Sequence, residues 1–142
     1  MADMPRTLGI DYGRRRIGLA VSDPTGTIAQ PLRVVDAKNR GAALRALADV
    51  CREYEVDRIV VGVPLDADGG HGEMAQEVER WANELATKLN IVVERRDERL
   101  TSAWAGRVTQ ELGWSNRRAR AESDALAAQA ILDDYLQSLR VR

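Results

Sequence analysis

Near the start of the chain, apolar residues fall in short runs, which predicts strands rather than helices. Runs at residues 7–11 and 17–21 are separated by a Gly-Arg-Arg stretch typical of a tight turn, so we expect a β-hairpin. A third extended run spans residues 28–35. It contains Pro31, which favours a sheet edge or a bulge because proline cannot donate a ladder hydrogen bond.

The middle of the chain alternates between helical and extended patterns. Apolar residues recur at helical spacing over residues 44–54 and again over residues 74–89. Between them, residues 58–63 form an apolar, β-branched run typical of a buried parallel strand. A fifth strand is predicted from residue 91 toward Glu98.

The last third of the chain predicts two helices. Thr101 is the predicted N-cap of a helix that ends near Gly113. Ser123 is the predicted N-cap of a second helix, which runs to about residue 139. Residues 114–122 between them are interpreted as a basic loop. The order of elements predicts an α/β fold for one domain over residues 1–142, with a five-stranded mixed sheet flanked by helices.

Composition narrows the classes of protein that fit. The 142 residues carry 21 basic and 22 acidic side chains, a net charge of −1, which excludes a protein that coats nucleic acid through bulk charge. Positive charge is nevertheless concentrated in two stretches, residues 38–48 and residues 93–120, each with a net charge of +3. Cys51 is the single cysteine, so an intramolecular disulfide is excluded. With no signal peptide and no apolar run near the ~20 residues that cross a bilayer, we expect a cytoplasmic protein without membrane contact.

Three carboxylates occupy positions that simple solvation does not explain. Asp11 ends the first strand, Glu98 ends the fifth, and Asp124 lies at the start of the last helix on its apolar stripe. A divalent cation such as Mg²⁺ or Mn²⁺ would compensate all three, because these ions prefer hard oxygen ligands. The alternatives are that Asp11 is a turn residue, that Glu98 forms an ion pair with Arg95 or Arg99, and that Asp124 is part of the helix cap.

Four segments resemble the motifs of one family. Residues 9–23 (GIDYGRRRIGLAVSD) resemble the opening motif of the YqgF family, also called RuvX-like. Residues 61–65 with Asp68 and Gly69, residues 97–102 and residues 123–132 resemble its second, third and fourth motifs. The segments occur in the family's order and cover nearly the whole chain.

The resemblance implies an RNase H-like fold and a metal-dependent nuclease. At the family's catalytic positions stand Asp11, Glu98 and Asp124, which would act as the ligands of Mg²⁺ or Mn²⁺. Two details differ from the family pattern. Asp66 stands where asparagine is expected, and arginines precede the last motif where a lysine is more usual.

A two-metal mechanism accounts for the acidic trio. We expect Asp11 to bridge two ions about 3.5–4 Å apart, with Glu98 and Asp124 each completing one side. Such a mechanism needs no histidine nucleophile, and we expect the only histidine, His71, to be exposed. Basic and aromatic side chains are predicted to hold the nucleic acid, although any one arginine could instead be solvated or locally paired. These are Arg14, Arg15, Arg16, Arg99, Trp114, Arg117, Arg118 and Arg120.

The substrate remains open between two nucleic acids. The resemblance implies either 5′-end maturation of precursor 16S ribosomal RNA, which we favour, or resolution of four-way DNA junctions. Ribosomal precursor particles would be partners in the first case. The second needs two active sites and hence a homodimer rather than a monomer. A non-catalytic nucleic-acid-binding module is disfavoured by the intact trio, and a sugar kinase by the room for only one domain.

Overall fold

The computed structural model describes residues 5–66, 68–98 and 116–140, and the side chains of the last range from Asp124 onward. The helix predicted after Thr101 lies outside the described residues, as do Arg99 and Trp114. Within the described ranges, none of the helices combines the length and the apolar character needed to cross a membrane.

Five strands and three helices make up the described part of the chain. They are β1 (Arg6–Asp11), β2 (Arg16–Ser22), β3 (Ala29–Asp36), α1 (Arg40–Glu53), β4 (Val56–Val63), α2 (Glu73–Leu89), β5 (Val92–Asp97) and α3 (Asn116–Arg140). The sheet order is β3-β2-β1-β4-β5, so β1 is central. β1 and β2 form the predicted antiparallel hairpin, whereas β1, β4 and β5 run parallel. The predicted five-stranded mixed sheet flanked by helices is therefore confirmed.

The two faces of the sheet pack against different helices. Large aliphatic side chains of the strands, such as Leu8 and Ile10, form one core with α1 and α2. Cys51 is buried in this core. On the other face, smaller residues such as Ala20 pack against Ile131 and Leu132 of α3. This division follows from the alternation of side chains along a strand.

Pro31 lies where its chemistry allows it. β3 is an edge strand, and the register of β2 with β3 shifts between Leu19 and Ala20, where Ala20 faces Pro31. The predicted edge position and bulge are both confirmed.

The start of the last helix differs from the prediction. α3 begins at Asn116 rather than at Ser123, so residues 116–122 of the segment interpreted as a basic loop are helical. Arg117, Arg118 and Arg120 therefore lie on helical backbone, and Asp124 lies in the third turn instead of the first. Ser123 resembled an N-cap, but residues 116–122 are mostly Arg, Ala and Glu without glycine or proline, and these favour helix.

Candidate active site

The candidate site lies at the sheet edge where the parallel strands end. Asp11 is the last residue of β1, and its cross-strand neighbours are glycines. Gly18 of β2 pairs with Asp11 directly, and the pairing of Ile10 with Val61 places Gly62 of β4 beside Asp11. Asp11 therefore has no neighbouring side chain on either adjoining strand at its own level.

Gly62 leaves space for the carboxylate of Glu98, and Gly18 leaves space for the backbone of α3 at Asp124. A Cβ on Gly62 would lie 2.6 Å from Oε2 of Glu98, and a Cβ on Gly18 would lie 2.0 Å from the backbone oxygen of Asp124. Any larger residue would force Glu98 or α3 away from Asp11. A strand glycine often marks such a close approach, but sequence reasoning did not assign this role to either residue.

Glu98 is held at this edge by the backbone. It follows β5 directly, and its amide donates to the carbonyl of Val63 at 3.2 Å. Its side chain is only 7% exposed, and its carboxyl shares a hydrogen bond with that of Asp11. The ends of β1, β4 and β5 thus bring the first two predicted ligands into contact.

Crowding of carboxyl groups changes their protonation. Burial, the charge of Glu98, its hydrogen bond and the charge of Asp124 together raise the pKa of Asp11 to about 8. Burial also raises the pKa of Glu98. In the absence of a compensating cation, the pair therefore retains a proton at neutral pH. This is the behaviour of a buried like-charge cluster that a divalent cation would relieve.

Asp124 lies on α3 near the cluster, but its carboxylate pairs with the cationic side chain of Arg16. Nε of Arg16, the first residue of β2, donates to Oδ2 of Asp124 at 2.7 Å. Arg16 is one of the arginines predicted to hold the nucleic acid, and that role stays a prediction. The structure shows that Arg16 also neutralises one of the predicted metal ligands.

The other hairpin arginines take different directions. Arg14 pairs with Glu77 of α2 at 2.9 Å, and Glu77 also accepts from the hydroxyl of Tyr12 at 2.7 Å. Burial and Glu77 raise the pKa of Tyr12 to about 12, so its hydroxyl stays a donor. Arg15 is exposed. The three adjacent arginines therefore do not form one basic patch.

The donor set suits a hard divalent cation in its chemistry. Asp11, Glu98 and Asp124 supply only carboxylate oxygens, and the raised pKa of Asp11 reflects first its burial and then the charges of the other two. Among the described residues, no three acidic, cysteine or histidine side chains already converge as a complete metal-binding group. The ion pair of Asp124 with Arg16 is a physical reason for this.

Several predicted site residues cannot be placed against this cluster. Arg99 and Trp114 lie outside the described residues, and for Arg117, Arg118 and Arg120 only the helical backbone is described. His71, in the segment that leads into α2, is exposed, as predicted. Its Nε2 lies 3.5 Å from Oε2 of Glu79.

Comparisons with known proteins agree with the motifs. A family model described as "RuvX: Holliday junction resolvase" matches residues 5–138. A protein of Moorella thermoacetica with the name "Putative pre-16S rRNA nuclease" is 41% identical over 134 residues, which are 94% of this chain and 96% of that protein.

Solved structures share the fold at low sequence identity. RuvC of T. thermophilus, in complex with a Holliday junction substrate, superposes with a TM-score of 0.61 at 18% identity and covers 95% of this chain and 96% of that one. Fowlpox virus resolvase with Holliday junction DNA gives a TM-score of 0.58 at 13% identity, over 94% of this chain and 98% of that one. The predicted RNase H-like fold is therefore confirmed.

Proposed function

The chain belongs to the RuvX family, and on that premise we propose that it is a metal-dependent endonuclease that matures the 5′ end of precursor 16S ribosomal RNA. One observation carries the cleavage chemistry. Asp11, Glu98 and Asp124, which lie far apart in the sequence, meet at one edge of the sheet with two of them in contact. The choice of RNA rests on the name of a relative that is 41% identical over nearly the full length of both chains.

The acidic cluster would hold Mg²⁺ or Mn²⁺. Bound there, one or two such ions would supply Lewis-acid stabilisation of the phosphate and a hydroxide-like water at neutral pH. Asp11 is central because it contacts Glu98 and is also within electrostatic reach of Asp124. Asp11 would therefore hold a cation together with either of the other two carboxylates.

Residues of the chain prepare this arrangement. Gly62 leaves room for the carboxylate of Glu98 beside Asp11, and Gly18 lets α3 approach at Asp124. The hydrogen bond from the amide of Glu98 to the carbonyl of Val63 holds Glu98 at this edge. Arg16 pairs with Asp124 and offsets its charge while no cation is bound, and a guanidinium released from Asp124 would be free to donate to a phosphate.

A cleavage assay with matched carboxylate variants tests the proposal. The purified chain would be incubated with precursor 16S RNA in Mg²⁺, in Mn²⁺ and in EDTA. We expect cleavage only with a divalent ion, and a loss of about a hundredfold or more in Asp11→Asn, Glu98→Gln and Asp124→Asn, because a lost ligand removes charge stabilisation at the transition state.

The control is Asp57→Asn, an exposed carboxylate on β4 near the opposite end of the sheet. It should cleave like the parent. Near-parental activity of Asp11→Asn would refute the assignment of the site.

The same assay separates the two nucleic acids. Single-stranded RNA, precursor RNA and a four-way DNA junction would be compared at equal concentration, together with the solution mass of the chain. Preferential cleavage of precursor RNA supports the proposal. Preferential, paired cleavage of the junction by a dimer would replace it with junction resolution.

A further inference from the structure

A second binding feature lies on the opposite face of the sheet from the acidic cluster. It is a cavity of about 420 Å³ between the β1–β2 connection, the segment before α1, and α2. We call it the α2 cavity. Its lining includes Tyr12, Arg14, Lys38, Arg40, Glu77, Arg80 and Trp81. The cleavage proposal assigns no role to this cavity.

The α2 cavity is strongly basic. Four cationic side chains line it, against the single carboxylate of Glu77. Arg14 is paired with Glu77, and Arg40 with Glu84 at 2.8 Å outside the lining. Lys38 and Arg80 are exposed, and within the described ranges neither forms a salt bridge. Two cations thus remain available to an anion in the cavity.

Aromatic rings form one wall of the α2 cavity. The centroids of Tyr12 and Trp81 lie 4.8 Å apart at an interplanar angle of 41°. The hydroxyl of Tyr12 is fixed by Glu77 at 2.7 Å, and both rings are only partly buried. Partly exposed, fixed rings beside cations are the combination that binds a nucleotide, since the base stacks while the phosphate is neutralised.

The cavity begins one residue from the acidic cluster. Asp11 faces α3, and the next residue, Tyr12, faces α2. Because consecutive Cα atoms are about 3.8 Å apart, a strand that crosses this edge of the sheet could meet both. A phosphodiester at Asp11 and a nearby nucleotide in the α2 cavity would then belong to one bound strand.

We propose that the α2 cavity binds one nucleotide of the substrate strand, with its base against Tyr12 and Trp81 and its phosphate at Lys38 and Arg80. The proposal deepens the nuclease function and rests on it only for the identity of the strand. It explains why the hairpin arginines diverge, since Arg14 serves the cavity while Arg16 serves the acidic cluster.

Binding without cleavage tests the cavity separately. The full chain in EDTA would be titrated into a short fluorescein-labelled single-stranded RNA and followed by anisotropy over a range of salt. The double variant Lys38→Ala/Arg80→Ala should bind about tenfold more weakly. Its salt dependence should flatten by about 0.7 in log–log slope, because the two cations together neutralise one phosphate and each neutralised phosphate of a single strand contributes about 0.7.

The matched control is Lys88→Ala. Lys88 is an exposed cation on the same helix, outside the cavity. It should retain parental affinity and salt slope. Equal affinity of the double variant and Lys88→Ala, or no binding of RNA by the parent chain in EDTA, would overturn the proposal. Since Lys38 and Arg80 are exposed, neither substitution removes core packing, and a thermal melt would verify folding.

Stacking has its own test at Trp81. Trp81→Leu should weaken RNA binding about fivefold to a hundredfold, the range seen when a base loses its aromatic partner. Trp81→Phe keeps a ring and should recover most of the affinity. If both variants bind like the parent, the base does not use this wall and the proposal is wrong.

Free mononucleotide distinguishes a strand site from a small-molecule site. Adenosine monophosphate should shift the indole N–H signal of Trp81 and compete with the RNA, whereas inorganic phosphate should compete far more weakly. A shift of Trp81 without competition would overturn the strand assignment in favour of a free-nucleotide site.

The two proposals fail in different ways. Loss of RNA binding in the cavity variants alongside active carboxylate variants would refute the cleavage site alone. Normal binding in the cavity variants alongside inactive carboxylate variants would refute the cavity alone.

Discussion

The two faces of the sheet are built from the same strands but follow different rules. The face under α1 and α2 is filled by large aliphatic side chains that are almost fully buried, among them Leu8, Ile10 and Leu47. The face under α3 has glycines and alanines where the helix approaches, and at its edge Asp124 is ion-paired with Arg16. Residues that alternate along β1 thus serve a core on one side and a site on the other.

The difference between the two faces separates the residues that stabilise the fold from those that form the candidate active site. Aliphatic burial on the α1/α2 face contributes free energy roughly in proportion to its area. On the α3 face, the half-buried carboxyl of Asp11 contacts the buried carboxyl of Glu98, and ionising both costs free energy because of desolvation and mutual repulsion. Substitutions on the two faces should therefore move stability and activity in different directions.

The largest effect on stability is expected at Leu47 of α1, which is 1% exposed. Leu47→Ala should lower the free energy of unfolding by about 3 kcal/mol, the middle of the range for buried leucine truncation. Urea denaturation measures this change. Specific activity of the remaining folded fraction should stay near parental, and a proportionate loss of that activity would show that the two faces are not separable.

Gly62→Ala should damage both properties at once. Its added Cβ would lie 2.4 Å from Cδ1 of Ile131 and 2.6 Å from Oε2 of Glu98. We expect destabilisation of about 1–3 kcal/mol from overpacking and a strong loss of cleavage. Urea denaturation and the cleavage assay measure the two effects.

Gly41→Ala in α1 is the control, because its nearest contact would be 3.4 Å, the end of the flexible Arg45 side chain. Gly41→Ala should be neutral or stabilise the chain by up to about 1 kcal/mol. Equal behaviour of the two glycine variants would contradict the role of close approach on the α3 face.

Asp11→Asn should stabilise the chain at neutral pH while abolishing cleavage. Between the unfolded pKa of about 3.9 and the folded pKa of about 8, the folded chain keeps a proton that the unfolded chain has released. The free energy of unfolding of the parent in EDTA therefore falls as pH rises through this window.

Asp11→Asn removes that slope and should gain about 1–3 kcal/mol at pH 8 relative to the parent. Denaturation at several pH values measures it. Mn²⁺ should stabilise the parent at pH 8 and have little effect on Asp11→Asn. Parallel pH profiles for the two chains would contradict the buried carboxyl cluster.

The smallest effect on stability is expected at Arg16. Its pair with Asp124 is partly solvated, with 36% and 22% of the two side chains exposed, so Arg16→Ala should cost less than about 1 kcal/mol. Calorimetric titration should show tighter Mn²⁺ binding, because the guanidinium no longer competes for Asp124. Weaker Mn²⁺ binding would mean that Arg16 chiefly holds Asp124 in place for the ion.

The fold was predictable where local pattern and burial coincide. The β-branched run of β4, the hairpin of β1 and β2 and the edge position of Pro31 all follow from periodicity and proline chemistry. The start of α3 was not predictable from the sequence, because a serine followed by an acidic residue occurs inside helices as well as at their N-caps. High helix propensity upstream of Ser123 decided the boundary.

The candidate site was predictable in its composition but not in its pairing. The motifs single out Asp11, Glu98 and Asp124, and the strand ends bring the first two together. No sequence pattern indicates that Arg16 turns to Asp124 while Arg14 turns to Glu77. Those partners depend on how α3 and α2 lie on opposite faces, which is tertiary information.

The alternation of Ile10 and Asp11 at the end of β1 ties catalysis to folding accuracy. Shifting β1 by one residue against its neighbours would carry the carboxylate among leucines and valines and put an isoleucine at the acidic cluster. Such a molecule would be both unstable and inactive. Specific activity of a purified preparation would therefore report the fraction of molecules whose central strand is correctly aligned, which spectroscopic measures of secondary-structure content do not distinguish.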